Sequence, residues 1–413
     1  MKIIKKKRAL CILLLVFAAV VLYFKDYRVL VMSRSPQTAD DTLHRWTTQR
    51  EHRLDVLEQQ AKRQASLKQA CVNHTETHRV VPEREILQKH LVYYKEQDLA
   101  VCLVFKAGSK AIRILADAMN HNDTFSSALE NPWKVALKRM KFTGARSISA
   151  FNIEFANTLK VLFVREPYNR FYSAYLDKLF FPRDYYWRVL GKHIINKHRD
   201  DATAHARSCG QDVTFSETVD YMIAAMNSHH VDEHFFPINE ACQPCQIHYD
   251  IIGKVETSGD DLQLMWTSLT EAGVLDIDLS SVAISSSLEL DLKAEELFEA
   301  KSKLLKCMGF YDLLTRTWQT LQNTGDIGCN VTMPIKESGV DELSLDSFKR
   351  ILQQARQQSG SKEFRSQCKR QALTKAYSTV PMAKLRALQQ IFKPDFQLFG
   401  YDEEPSYIFN RAE

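Results

Sequence analysis

The chain has 413 residues, 45% hydrophobic and 25% charged. That is a globular composition for one large domain or two modest ones, and it excludes a collagen-like or low-complexity protein. The formal charge of +5 is too mild to argue for nucleic acid, but it suits an acidic substrate or a negatively charged cofactor.

Lys2, Lys5, Lys6, Lys7 and Arg8 precede an uncharged run from Ala9 to Phe24, which Lys25 ends. The run is shorter than the ~20 residues a membrane span usually needs. Tyr23, Phe24 and snorkelling lysines extend it. A cleaved signal peptide is the alternative, but Val21-Leu22-Tyr23-Phe24-Lys25 offers no small-x-small cleavage site. The basic flank comes first, so residues 1–8 are expected in the cytosol, 9–24 in the membrane as a signal anchor, and the rest beyond it. A short span suits a thin membrane of the early secretory path. Eight of the nine cysteines lie beyond the anchor; they suit disulfides in an oxidising lumen, in a pairing the sequence leaves open. Sequons at Asn73, Asn122 and Asn330 fit a glycosylated lumenal protein.

Residues 25–85 read as a polar lumenal stem. Leu43, Trp46, Leu54, Leu57 and Ala61 stand at helical spacings without sustained heptads. A solvated spacer is the first expectation and a dimerising helix, giving a homodimer through the stem, the alternative. A folded domain is expected over 86–405. Leu99 to Phe105 is an apolar run that predicts a buried strand, and Lys106-Ala107-Gly108-Ser109-Lys110 is the turn after it. Ala111, Ile112, Ile114, Leu115, Ala118 and Met119 then mark a helix. Such a bend can cradle a phosphate with backbone N–H groups. It is not a Walker A loop, because G-x-x-x-x-G-K-[ST] is absent. A nucleotide kinase therefore has little support.

A second strand, turn and helix follows in Thr158–Phe181. Leu159–Val164 is the strand, Arg165 closes it, and Pro167 opens a helix whose apolar face is Tyr168, Phe171, Tyr172, Tyr175, Leu176 and Leu179. A guanidinium, a helix N-terminus and Ser173 together suit a phosphate. The competing reading is an arginine salt-bridged to a core acid. Two such units in one α/β sheet can grip two ends of one polyanion.

Residues 182–235 are rich in histidine, but the spacings fit no zinc pattern, and Cys242-Gln243-Pro244-Cys245 has no partner motif. No metal is expected, and a structural disulfide is the better use of these cysteines. His248–Val255 predicts a third strand; 260–271 and 291–308 predict helices. The polar stretch about 310–372 reads as an insertion or irregular surface excursion. From Val380 a final helix is expected, followed by an aromatic tail, Asp395–Tyr401.

Several of these segments resemble the Golgi membrane carbohydrate sulfotransferases of the HNK-1, chondroitin 4-O and dermatan 4-O type. They are V-C-L-V-F-K-A-G-S-K, V-L-F-V-R-E-P-Y-N-R-F-Y-S-A-Y-L-D-K-L, E-H-F-F-P-I-N-E-A-C-Q-P-C-Q-I-H-Y-D-I-I-G-K-V-E-T and D-F-Q-L-F-G-Y, in the family's order over about 95–401. The resemblance implies a parallel-sheet, P-loop-like α/β domain behind a transmembrane helix and stem. It implies transfer of a sulfuryl group from 3′-phosphoadenylyl sulfate (PAPS) to a sugar hydroxyl, on a chondroitin, dermatan or glucuronyl-terminated chain in the Golgi lumen. Lys106, Ala107, Gly108, Ser109 and Lys110 would form the 5′-phosphosulfate loop. Arg165 and Ser173 would hold the 3′-phosphate, with Arg170 in support. Lys106 would stabilise the leaving oxygen, and His234 would be the general base, with Glu233 as runner-up. Three residues depart from the family's first loop: Phe105 for a proline, Lys110 for a threonine and Ile112 for a tryptophan. They motivate an alternative, a catalytically silent glycan-binding or scaffold protein of the same fold.

Overall fold

The computed structural model describes residues 36–73, 82–110, 112–113, 141–228, 231–271 and 286–410. The expected membrane anchor over 9–24 and the Asn122 sequon lie outside the described residues. Among those described, no helix is long and apolar enough to cross a membrane.

One four-stranded sheet organises the domain, in the order β1 (Leu91–Tyr94), β2 (Leu99–Cys102), β3 (Leu159–Val164) and β4 (Ile251–Lys254). β2, β3 and β4 run parallel, with Val101 opposite Val161 and Val161 opposite Ile251. β1 is antiparallel to β2, so the sheet is mixed rather than wholly parallel. β3 is central, and five of its six residues are buried. That burial on both faces is why Val161–Val164 is a continuous apolar run instead of an alternating one, while the buried Lys160 donates to the Phe155 and Thr158 carbonyls. The strand expected over Leu99–Phe105 stops at Cys102, because the chain turns at Phe105.

On one face, Ala100, Cys102, Leu162, Val164 and Ile252 pack with Phe151, Ile238 and Tyr249. The Pro167–Tyr175 helix buries Tyr168 and Phe171 among Phe215, Phe235, Phe392 and Phe396. Tyr377 donates its hydroxyl to the Tyr168 carbonyl at 2.9 Å, which fixes the start of that helix.

The stretch expected as an irregular excursion is folded. It forms helices Phe310–Thr324, Leu345–Gln357 and Lys362–Ser378. Leu313, Leu314, Trp318, Phe348 and Leu352 bury themselves against Leu290, Ala294 and Leu297 of the Ser286–Leu304 helix. The final helix runs over Met382–Phe399 and absorbs residues 395–399, which the sequence suggested as a tail. The domain begins at Lys62, within the helix Pro36–Asn73. The folded unit therefore starts earlier than residue 86. Arg63 donates to Asp261 at 2.7 Å and to the Ile252 carbonyl at 2.8 Å, so the helix's last turns belong to the sheet's β4 edge.

All eight cysteines beyond the expected anchor pair, as Cys71–Cys245, Cys102–Cys242, Cys209–Cys307 and Cys329–Cys368. Cys242 and Cys245 thus serve two different disulfides. Beside the third, Gly210 (φ +71°) ends a helix where a Cβ would lie 2.1 Å from the Trp187 carbonyl oxygen. Gly210→Ala should therefore cost about 1–3 kcal/mol. Thermal unfolding reads this, and an unchanged midpoint would show that the close approach is not needed.

Candidate active site

The two bends meet at the carboxyl ends of β2 and β3, where neighbouring parallel strands of an open sheet leave a crevice. They line one cleft of about 290 Å³ with Phe105, Lys106, Gly108, Ser109, Lys110, Arg165, Ser173 and His234. Asp177, Lys178, Arg183, Glu289, Lys293 and Glu296 complete the wall. Six cationic side chains (Lys106, Lys110, Arg165, Lys178, Arg183, Lys293) thus face three carboxylates. The surplus positive charge fits a polyanionic ligand.

The first bend is bound to the second through its main chain. Arg165 donates to the Lys106 carbonyl at 3.0 Å, and Lys106 holds φ +67°, a left-handed conformation uncommon outside glycine. Arg165 has no carboxylate within ion-pair distance among the described residues, so the salt-bridged reading does not hold. Burial pulls its guanidinium pKa down, with Glu256 and Glu166 opposing. Gly108 sits at φ +80° with open space where a Cβ would stand.

Four expectations change. The Pro167–Tyr175 helix does not offer free N–H groups: the Glu166 carboxylate caps it, accepting from Tyr168 N at 3.0 Å and Asn169 N at 2.7 Å. A phosphate at this bend must rely on Arg165 and Ser173. Arg170 does not face the cleft. It is 1% exposed and donates to the carbonyls of Phe105, His234, Phe235 and Phe236. Ala107 is buried, with its N–H on the Val104 carbonyl at 3.2 Å, so it supports the loop from beneath. Lys110 lines the cleft but pairs with Glu289 at 2.6 Å, so a phosphate must compete with that carboxylate for it.

His234 lies at the cleft, 5% exposed. Its Nδ1 meets Asp232 Oδ1 at 2.8 Å, and its backbone N–H donates to the same oxygen at 3.0 Å. The Tyr186 hydroxyl lies 3.4 Å from Nδ1. The Phe105 ring packs against it, tilted by 44°, with centroids 4.4 Å apart. That contact gives the departing residue of the first loop a place against the histidine. Burial lowers the His234 pKa and Asp232 raises it, with a net fall below the usual imidazole value. Glu233 does not line the cleft; burial and Asp232 raise its carboxyl pKa.

The sequence reading missed a cluster around Asp177. Lys106 reaches this carboxylate at 2.9 Å, Lys293 at 2.8 Å, Arg183 at 3.0 Å and Lys178 at 3.3 Å. Burial pushes the Asp177 carboxyl up, but Arg183, Lys106, Lys293 and Lys178 outweigh it and hold it well below the usual carboxylate range. Lys369 was also missed. Burial, then the nearby Arg165 charge, pulls its ammonium down to about 8. Of the sequons, Asn330 is exposed beside Cys329; Asn73 ends the Pro36–Asn73 helix. No group of metal-ligating side chains occurs among the described residues.

Residues 89–278 match the family described as "Sulfotransferase family". The chain is 32% identical over 232 residues to the Mus musculus protein named carbohydrate sulfotransferase 8, covering 55% of this chain and 52% of that one. It is 30% identical over 266 residues to the Danio rerio carbohydrate sulfotransferase 11, covering 59% and 74%. To the Homo sapiens carbohydrate sulfotransferase 9 it is 29% identical over 214 residues, covering 49% and 46%. The match spans about half the length of the first of these relatives. No solved structure matches. The family match runs from the end of the helix before β1 past β4, so it contains both bends, Asp177 and the Asp232–His234 pair, and the chain belongs to the sulfotransferase family, among its carbohydrate sulfotransferases.

Proposed function

We propose that the chain is a carbohydrate O-sulfotransferase that moves a sulfuryl group from PAPS to a sugar hydroxyl. The observation that carries this reading is the pairing of Arg165, without a carboxylate of its own, with the Lys106 cluster in one cationic cleft. The donor has an anion at each end of its reactive half, and the two bends supply a cation for each. Arg165 and Ser173 take the 3′-phosphate. Lys106, Gly108 and Ser109 take the phosphosulfate. Nothing in the cleft favours the silent alternative.

In the reaction the sugar oxygen attacks sulfur. The new S–O bond forms as the bond to the bridging phosphate oxygen breaks, and the electron pair leaves with adenosine 3′,5′-bisphosphate. Lys106 meets the negative charge that builds on that bridging oxygen. With Nδ1 donating to Asp232, Nε2 of His234 is the base that takes the hydroxyl proton. The rate therefore needs neutral His234. Because its pKa lies below the usual imidazole value, kcat should stay flat near pH 7 and fall only as pH drops through that lowered value. Asp232→Asn removes the carboxylate that raises it, so the acidic limb should move further down. A pH–rate profile reads this, and a limb that stays put would remove Asp232 from the role.

The acceptor is a glycosaminoglycan or glycoprotein glycan, of the chondroitin, dermatan or glucuronyl-terminated kind that the motifs suggest. The same proposal puts the site in the Golgi lumen on a type II anchor. Four disulfides and an exposed Asn330 sequon support that reading, as does the basic flank before Ala9–Phe24. A homodimer through the stem belongs to the same proposal. Transfer of labelled sulfate from PAPS to an acceptor panel by the full-length protein in detergent, with the product mapped, is the test. No incorporation into any acceptor would overturn the reading.

A further inference from the structure

Asp177 stands on a π-helical turn, Leu176–Phe180, that continues the helix bearing Ser173. Such a turn widens the helix and redirects its side chains, and it is frequent at functional sites. Here one carboxylate receives four cations from three separate segments. Oδ2 takes Lys106 at 2.9 Å and Lys178 at 3.3 Å; Oδ1 takes Lys293 at 2.8 Å and Arg183 at 3.0 Å. Arg183 also donates from Nε to the Asp177 carbonyl at 2.8 Å. Arg183 and Lys293 have a second acid, Glu296, at 2.8 and 3.9 Å. Lys106 and Lys178 have Asp177 as their ion-pair partner among the described residues. Asp177 and Glu296 together do not balance the four cations, and Asp177 alone reaches all of them, so the arrangement resembles cations gathered around a small dianion.

Resting on the sulfotransferase reading above, we propose that Asp177 is an internal counter-ion. It assembles the four cations in the cleft without donor, and it gives up Lys106 to the donor's phosphosulfate. Asp177 is thus a positioning residue. It competes with the incoming anion for the Lys106 ammonium, while holding Lys178, Arg183 and Lys293 in line behind it. The competition lowers donor affinity, and the alignment raises the rate. A residue that merely braced the fold would show neither effect separately.

The test uses the full-length protein in detergent, with Asp177→Asn, which keeps shape and removes one charge. Calorimetry with adenosine 3′,5′-bisphosphate should show binding tightened by roughly five- to tenfold, the scale of one partly screened charge. Transfer at saturating PAPS should fall. Inorganic sulfate should also raise the unfolding temperature of the variant more than that of the wild type, since it replaces the missing counter-charge. If Asp177→Asn does not fold, Asp177→Glu keeps the charge and shifts it by one methylene: bisphosphate affinity should hold while kcat falls. Equal or weaker bisphosphate binding by Asp177→Asn, or an unchanged kcat in Asp177→Glu, overturns the proposal. Failure of the wild type to bind bisphosphate would instead overturn the donor reading itself.

Discussion

Lys106→Ala is expected to lower sulfuryl transfer at saturating PAPS by about 10²- to 10³-fold, the usual loss when one preorganised donor to a developing oxyanion is removed. The expectation rests on three features of the first bend. The residue lines the cleft and is held in a left-handed conformation with its carbonyl tied to Arg165. Its ammonium is drawn to Asp177 rather than free in solvent. Its side chain is about one-fifth exposed, and burial lowers its pKa with Asp177 opposing, so its charge is only partly screened. The loss should appear in kcat more than in KM, because the charge it meets grows in the transition state. A loss confined to KM would make Lys106 a binding residue only. No loss in either would remove it from the site.

Arg170→Met should destabilise the domain by about 3–5 kcal/mol, the range for removing one partner from a buried charged network. Methionine fills much of the space but cannot donate. The Phe236 carbonyl would lose its bond at 2.6 Å, and the Phe105 and His234 carbonyls would lose weaker ones at 3.4 Å. Asp395 would lose the charge that favours its ionised form. Its carboxyl, raised to about 6 by burial and lowered by Arg170, caps the helix at Ile238 and Asn239. Arg170 joins the Phe105 loop to the His234 segment, so transfer should fall together with stability. Denaturant titration measures the first effect. An unchanged midpoint would mean that the carbonyls find other donors.

The parts of the fold set by apolar runs could be read in the sequence. β3 was legible to the residue, because a central parallel strand is apolar on both faces. β1 was not, since Leu91–Tyr94 is four residues long and its partner lies across a turn. The Leu345–Gln357 helix looked like a polar excursion because it shows the core only Phe348, Leu352 and Ala355. Those residues stand at four- and three-residue steps, a signal hidden by the surrounding glutamines. Lys106, Arg165 and Ser173 stood out in the local strand-turn-helix patterns and His234 through the family resemblance, and the structure gathers the four at one cleft. Their anchors were not legible. Lys293 meets Asp177 across 116 residues of sequence, and no local spacing encodes that distance. Arg170 was expected to support the 3′-phosphate, and the helix start at Pro167 to be an open anion site. Burial and capping gave them structural work instead.

The central claim is that Arg165 holds the 3′-phosphate end of a ligand whose other end lies at Lys106. Calorimetry on wild type and Arg165→Ala, each with adenosine 3′,5′-bisphosphate and with adenosine 5′-phosphate, closes a cycle that isolates that contact. Removing the 3′-phosphate should weaken wild-type binding by at least about tenfold, as a lost charge-assisted contact does, and should weaken Arg165→Ala binding clearly less, since only Ser173 then remains to meet it. Equal losses in both proteins would place the 3′-phosphate elsewhere and contradict the account.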